Sequence, residues 1–178
     1  PPPPHPRPAV LSPPAEPGSL GSLGPYDIEG PLATGGMGLV STPRDPQLHR
    51  QVAIKVLSPT FAGHNDAMQR FLREATAAAA IEHPNVLPIH AIDTESAELP
   101  FLVMRYVDGP SVEKLIADQN GPLDFEQVLA IAKAVSSALG AAHAKDLTHR
   151  DIEPSNILLE REKPDQSSES PTIYLTDF

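Results

Sequence analysis

Thr34 to Val40 (TGGMGLV) places Gly35, Gly36 and Gly38 in one short run. A loop without Cβ atoms lets backbone N–H groups approach phosphate oxygens, although a glycine-rich stretch by itself is also an ordinary way to turn the chain. Gln51 to Leu57 (QVAIKVL) then alternates with period two, which puts Ala53, Lys55 and Leu57 on one face and Val52, Ile54 and Val56 on the other. A lysine on an otherwise apolar face needs a partner. Glu74 lies beside the apolar line of a helical stretch and could supply the opposite charge, the alternative being an exposed helix charge with an i,i+4 contact. Further on, His149-Arg150-Asp151 and Asn156 crowd polar groups into one short loop, and Asp177 follows a final apolar run. With no cysteine in the chain, a thiol nucleophile, a Cys-ligated zinc and a disulfide framework are all excluded, and a reducing compartment fits. His83, His90 and His143 sit in or beside apolar segments without a second ligand at i+3 or i+4, so they read as structural histidines.

These groups must be positioned by secondary structure whose periods can be followed along the chain. Asn65 to Ile81 predicts a helix through its apolar line Met68, Phe71, Leu72, Ala75, Ala78 and Ala79, and Pro84 bars its continuation. Leu87 to Ile92 and Leu99 to Val107 predict strands separated by an acidic turn at Asp93, Glu95 and Glu98. Beyond Asp108-Gly109-Pro110 the character changes to helix, and Asp124 to Ala144 carries a capping-box signal, Asp124 with Gln127, ahead of an apolar stripe at Val128, Ile131, Val135, Ala138 and Ala142. Strands at Ile157 to Leu159 and Ile173 to Thr176 flank a polar insert. Residues 1 to 24 hold nine prolines and only two charges, with neither a helical nor a strand period, and predict a disordered, partly polyproline-like tail.

Composition limits the classes further. Aromatic residues make up 4% of the 178 and Trp is absent, so the core must be built from Ala, Leu, Ile and Val. The net charge of -10 argues against nonspecific binding to nucleic acid or to an anionic membrane surface. No apolar run approaches a membrane span of about 18 residues or more, so the chain is expected to be soluble and its domain cytoplasmic. It begins with Pro1 instead of Met, as expected for a fragment, a processed product or an incompletely read coding sequence.

The glycine-rich loop, Val52-Ala53-Ile54-Lys55, Glu74, His149-Arg150-Asp151 with Asn156, and Asp177-Phe178 occur in one order, and in that order the chain resembles the eukaryotic-type protein kinases. The loop HRDIEPSN is similar to the Ser/Thr branch, and GGMG, FLREA, HPNVLPIH and LVMRYVDG are most similar to the bacterial Ser/Thr kinases. The resemblance, from about Tyr26 to Phe178, implies an α+β, two-lobed fold: a Pro-rich tail over 1–24, a complete N-terminal lobe over 25–107 with a five-stranded sheet and one helix, and a partial helical C-terminal lobe over 108–178. It implies ATP and Mg²⁺ as cofactors, a protein Ser/Thr hydroxyl as acceptor, no nucleic-acid partner and no membrane segment within this chain. It further implies an ATP site of Leu32, Gly35, Gly36, Gly38, Val40, Ala53, Lys55, Met104, Arg105 and Val107, with Met104 in the gatekeeper place and Arg105 and Val107 offering backbone groups to adenine. Lys55 would hold the α- and β-phosphates and pair with Glu74. Asp151 would accept the hydroxyl proton, and Asn156 and Asp177 would offer Mg²⁺ the hard oxygens it requires. His149 would hold the catalytic loop.

Three departures from the family bear on activity. Ala33 replaces the first glycine of the phosphate loop, and Pro43 falls where a ladder strand should run. Glu153 replaces the lysine that neutralises the γ-phosphate. Unit charges about 4 Å apart interact by about 4 kcal/mol at an effective dielectric near 20, so the exchange predicts a rate loss of at least a few hundredfold unless Mg²⁺ screens it. The sequence stops before the glycine expected after Phe178, so the activation segment and most of the helical lobe lie outside it, and the chain alone is expected to leave an apolar face open and to phosphorylate no protein. The competing readings are a pseudokinase or noncatalytic ATP-binding module, and a scaffold that uses the Pro-rich tail.

Overall fold

The computed structural model describes residues 11–13, 19–28, 33–34, 38–57, 65–119, 121–161 and 171–178. They form two compact units, one holding residues up to Ala75 together with Ile89–Tyr106, the other Thr76–Pro88 together with Val107–Phe178. Relative to the expected cut at 107/108, residues 76–88 and Val107 fall in the second unit.

The first unit is built on a five-stranded antiparallel sheet. Its strands are β3 (Ala33–Thr34), β4 (Gly38–Ser41), β5 (Val52–Leu57), β6 (Ile89–Asp93) and β7 (Phe101–Arg105), in the spatial order β3-β4-β5-β7-β6. The β-branched run of β5 suits a strand covered on both faces. Val52, Ile54, Val56, Phe101 and Val103 join the core from one side of the sheet, and Leu57, Leu102 and Met104 are buried on the other. A hairpin of β1 (Gly21–Leu23) and β2 (Tyr26–Ile28) adds Leu23 and Ile28 to the same core, and the Tyr26 ring meets Phe101 edge-on at 6.1 Å.

This hairpin corrects the expectation of a structureless tail over 1–24. Leu11 is buried in the core of the first unit, and Ser12 and Ser22 exchange two backbone hydrogen bonds of 2.9 and 3.1 Å. At Gly21 a Cβ would stand 2.6 Å from the Ser12 carbonyl oxygen, so glycine lets the segment pass. Prolines obscure a strand signal, but two leucines and a pair of serines suffice to anchor the described part; the remainder, 1–10 and 14–18, lies outside the described residues.

Pro43 does not break the sheet. Strand β4 ends at Ser41, Pro43 is fully buried, and only its carbonyl is used, accepting the Val52 N–H at 3.0 Å, so the missing donor is never required. The β4–β5 loop is then closed by Asp45, whose carboxylate accepts the N–H groups of Gln47 and Leu48 at 2.9 and 3.0 Å. The Leu48 N–H is the main cause holding this carboxyl below its ordinary value. A carboxyl lowered in the folded state contributes stability above its unfolded value and loses it as pH falls through its folded value. Acid titration followed at the Asp45 side chain by NMR is therefore expected to give a midpoint below that of a model peptide, and Asp45→Asn is expected to flatten the acid limb of stability.

The second unit packs helix α3 (Phe125–His143) against a hairpin of β8 (Ile157–Glu160) and β9 (Thr172–Leu175). The capping box forms as the sequence predicts: Asp124 accepts the Gln127 N–H at 2.8 Å, and the Gln127 side chain accepts the Asp124 N–H at 3.1 Å. The buried line is Ala134, Ala138 and Ala142, with Ile131 and Val135 partly buried, whereas Val128 and Phe125 are exposed. The expected stripe thus starts one turn too early, because small residues at i,i+4 spacing are what permit close approach of the hairpin. A short helix, α2 (Val112–Asp118), capped by the Ser111 hydroxyl, was not delimited by periodicity. Helix α1 (Asn65–Ala79) falls two residues short of the predicted end and carries Ala75 and Ala78 as buried residues.

Gly109 is fixed by proximity. The chain from Asp108 to Ser111 runs along β8, with the Leu159 N–H on the Pro110 carbonyl at 2.9 Å and the Arg161 N–H on the Asp108 carbonyl at 2.8 Å. A Cβ at Gly109 would lie 1.7 Å from the Leu159 carbonyl oxygen, a backbone atom that cannot swing aside. Gly109→Ala is expected to destabilise the protein by about 1–3 kcal/mol, read as a lowered denaturation midpoint at unchanged m-value.

Candidate active site

The ladder register determines which residues of the first unit share a face. Val40 stands opposite Lys55, Lys55 opposite Leu102, and Ala53 opposite Met104, so Val40, Ala53, Lys55, Leu102 and Met104 project from one side of the sheet. Lys55 is buried, only 8% exposed, which a lysine tolerates when its ammonium is engaged. Both Lys55 and the half-buried Glu74 of α1 make interactions with other groups. Arg105 pairs with Val52 and so has its side chain on the opposite face from Met104. Ala33 pairs with Val40 in extended strand geometry, which does not require a glycine backbone. Leu32, Gly35 and Gly36 lie outside the described residues, and Gly38 opens β4.

In the second unit the sequence-predicted polar residues are drawn together by the β8–β9 hairpin. Ile157 pairs with Leu175, so Asn156 and Thr176, the residues just beyond that pair, are neighbours; the Thr176 N–H donates to the Asn156 carbonyl at 3.0 Å and brings Asp177 alongside. The Asn156 side chain is buried, and its Nδ2 donates to the Asp151 carbonyl at 3.0 Å and reaches the Asp151 carboxylate at 3.5 Å. The donor half of the amide is thereby spent on Asp151, while Oδ1, the hard oxygen, has the Ser155 hydroxyl 3.5 Å away. Asp151 itself is exposed.

His149 ties the two ends together. Its ring is buried, Nδ1 accepts the Asp151 N–H at 3.3 Å, and Nε2 lies 2.8 Å from the Thr176 carbonyl. Those two partners select the tautomer with its hydrogen on Nε2. The ring also packs on Phe178, 4.6 Å between centroids. Arg150 and Asp177 both have left-handed backbone, with φ of 67° and 66°, conformations that cost a non-glycine residue energy and that concentrate at functional loops. His83, by contrast, is structural: its ring bonds Ser137 Oγ at 3.0 Å and accepts the Asn85 N–H at 3.1 Å.

Glu153 precedes the 3₁₀ turn Pro154–Asn156 and is exposed, and its carboxylate accepts the Ser155 hydroxyl. Among the described residues no three His, Cys, Asp or Glu side chains converge on one point. The pair Asn156 and Asp177 nevertheless suits Mg²⁺, which takes one or two protein oxygens and fills its remaining positions with water and phosphate.

The family described as protein kinase domain matches residues 26–178. Serine/threonine-protein kinase PknD of Mycobacterium tuberculosis is 37% identical over 156 residues, which are 88% of this chain and 22% of PknD. PrkC of Bacillus subtilis is 38% identical over 137 residues, 77% of this chain and 21% of PrkC. The crystal structure of the M. tuberculosis PknI kinase domain superposes with a TM-score of 0.73 at 33% identity, covering 88% of this chain and 60% of that one. The chain thus spans about a fifth of the length of these curated relatives. With one face of β5 carrying an engaged lysine, with Asp151, Asn156 and Asp177 gathered by one hairpin, and with the family match running through both units, the chain belongs to the bacterial eukaryotic-like serine/threonine protein kinase domains.

Proposed function

We propose that the protein containing this chain transfers the γ-phosphoryl group of Mg·ATP to the hydroxyl of a protein serine or threonine. The carrying observation is the hydrogen-bonded arrangement in which Asn156 holds Asp151, and His149 and Asn156 both bond Thr176, so that the loop of the proposed base is tied to the segment that carries Asp177. In this reading Asp151 accepts the hydroxyl proton as the oxygen bonds to the γ-phosphorus and the bond to the β–γ bridging oxygen breaks, releasing ADP. Lys55, oriented by Glu74, holds the α- and β-phosphates, and the backbone of the loop around Gly35, Gly36 and Gly38 approaches them. Leu32, Val40, Ala53 and Met104 enclose adenine, with backbone groups of Arg105 and Val107 at its edge. Asn156 and Asp177 hold Mg²⁺, which when bound neutralises phosphate charge. Catalysis is then mostly positioning and charge compensation.

In this reading the ATP-using domain works in the cytoplasm, where ATP is supplied; among the described residues no helix is long and apolar enough to cross a membrane. The test is calorimetric titration of Mg·ATP into the full-length protein and its Lys55→Met form. A loss of at least about tenfold in affinity is expected from removing one charge-assisted contact, and equal affinities would overturn the assignment of Lys55. A second reading, a pseudokinase that binds ATP without transferring phosphoryl, is favoured by one observation, the acidic Glu153 beside Asp151.

A further inference from the structure

The family match begins at residue 26, yet described residues ahead of it are built into the first unit. Leu11 is 4% exposed and belongs to the same core cluster as Leu23, Ile28, Val52, Ile54 and Val56. Residues 11–13 are tied to Ser22 of β1 by hydrogen bonds. The Ser22 N–H and carbonyl exchange bonds with the Ser12 backbone at 3.1 and 2.9 Å, and the Ser22 hydroxyl donates to the Pro13 carbonyl at 3.2 Å. Gly21 leaves space for this crossing, since a Cβ there would stand 2.6 Å from the Ser12 carbonyl oxygen and 2.7 Å from the Leu11 Cβ. With these contacts residues 11–13 form a strap over the core of the first unit.

That core lies against one face of β5, and Lys55 projects from the other. Ile54 and Val56 flank Lys55 in the strand and are fully buried. Because successive strand residues point to opposite faces, the depth at which Ile54 and Val56 seat sets where the Lys55 backbone stands. A close-packed layer holds a strand in place, and a space left behind it lets the backbone shift. We infer that the strap is part of the nucleotide site by this route: Leu11 is a positioning residue that, through Ile54 and Val56 of β5, holds Lys55 where it meets the α- and β-phosphates. Leu11 belongs to the face of the sheet away from Lys55, so its effect on ATP passes through β5. This role rests on the phosphate-binding reading of Lys55 given above, and it extends the site to residues that precede the family match.

The experiment is calorimetric titration of Mg·ATP and, separately, of adenosine into the full-length protein and its Leu11→Ala, Leu11→Met, Gly21→Ala and Lys55→Met forms. Adenosine carries the base without the phosphates, so it reports on the adenine face and not on Lys55. Leu11→Ala empties the place of the buried side chain, and the methyl of Gly21→Ala displaces the strap. Each is expected to weaken Mg·ATP by about three- to tenfold, not beyond the loss in Lys55→Met, with adenosine affinity kept within about twofold. Leu11→Met, close in volume, is expected to stay within about twofold of the native protein for both ligands. In the Lys55→Met background Leu11→Ala is expected to cost no further Mg·ATP affinity, a coupling that a merely structural residue does not show. Equal losses for Mg·ATP and adenosine, or a lowered denaturation midpoint with Mg·ATP affinity unchanged, would make Leu11 an ordinary core residue and overturn the inference while leaving the kinase reading intact. Should Leu11→Ala fail to fold, Leu11→Val carries the same comparison and the same outcomes decide it. Native Mg·ATP affinity in Lys55→Met would remove the assignment of Lys55, and the inference with it.

Discussion

Asp151→Asn in the full-length protein is expected to lower kcat by about two to four orders of magnitude, the scale of a positioned general base. The substitution keeps the shape of the side chain and an oxygen able to accept from Asn156 Nδ2, now 3.5 Å away, and it leaves the Asp151 main-chain links to His149 and Asn156 untouched. The loop is therefore expected to stay folded, with an unchanged denaturation midpoint and unchanged Mg·ATP affinity. Only the acceptance of the hydroxyl proton is lost. Radiolabel transfer to a Ser-containing protein, measured for both forms, decides the matter: a loss of less than about tenfold would mean that the hydroxyl proton leaves by another route.

Glu153→Lys is expected to raise kcat on a neutral acceptor peptide by about ten- to a hundredfold, with a smaller change in Mg·ATP affinity. The direction follows from charge: a negative group beside the transferring phosphoryl is exchanged for a positive one, at a position where the transition state differs from bound ATP. The magnitude is lower than a charge pair about 4 Å apart would give, because Glu153 is exposed and its carboxylate is already turned onto the Ser155 hydroxyl, so solvent screens part of its field. Equal kcat values in the two forms would mean that a cation already offsets Glu153 on neutral acceptors, and the pseudokinase reading would lose its main support.

Several features were legible from the sequence for local reasons. The alternation of Gln51–Leu57 depends only on the strand period, and it correctly placed Ala53, Lys55 and Leu57 on one face. The α3 cap follows from Asp124 and Gln127 three residues apart, and both of its bonds form. Motif order sufficed to identify the family, because it requires no knowledge of where the loops meet. Misreadings arose where a distant chain segment decided the outcome. Pro43 reads as a strand breaker until the Val52 N–H is seen to need only its carbonyl. The serine- and proline-rich start reads as tail until Leu11 enters the core beside Leu23, a hydrophobic gain that periodicity over so few residues cannot signal.

By itself the sequence determined the inventory: which side chains could hold phosphate, accept a proton or offer oxygen to a cation, and on which elements they lie. Tertiary structure decided their mutual placement. The pairing of Ile157 with Leu175 makes Asn156 a neighbour of Thr176 and Asp177, and His149 reaches across 27 residues to close the same loop. Such contacts depend on strand register and on burial of a polar ring whose hydrogen bonds must be met inside the protein, and both are settled only when residues far apart in sequence pack together.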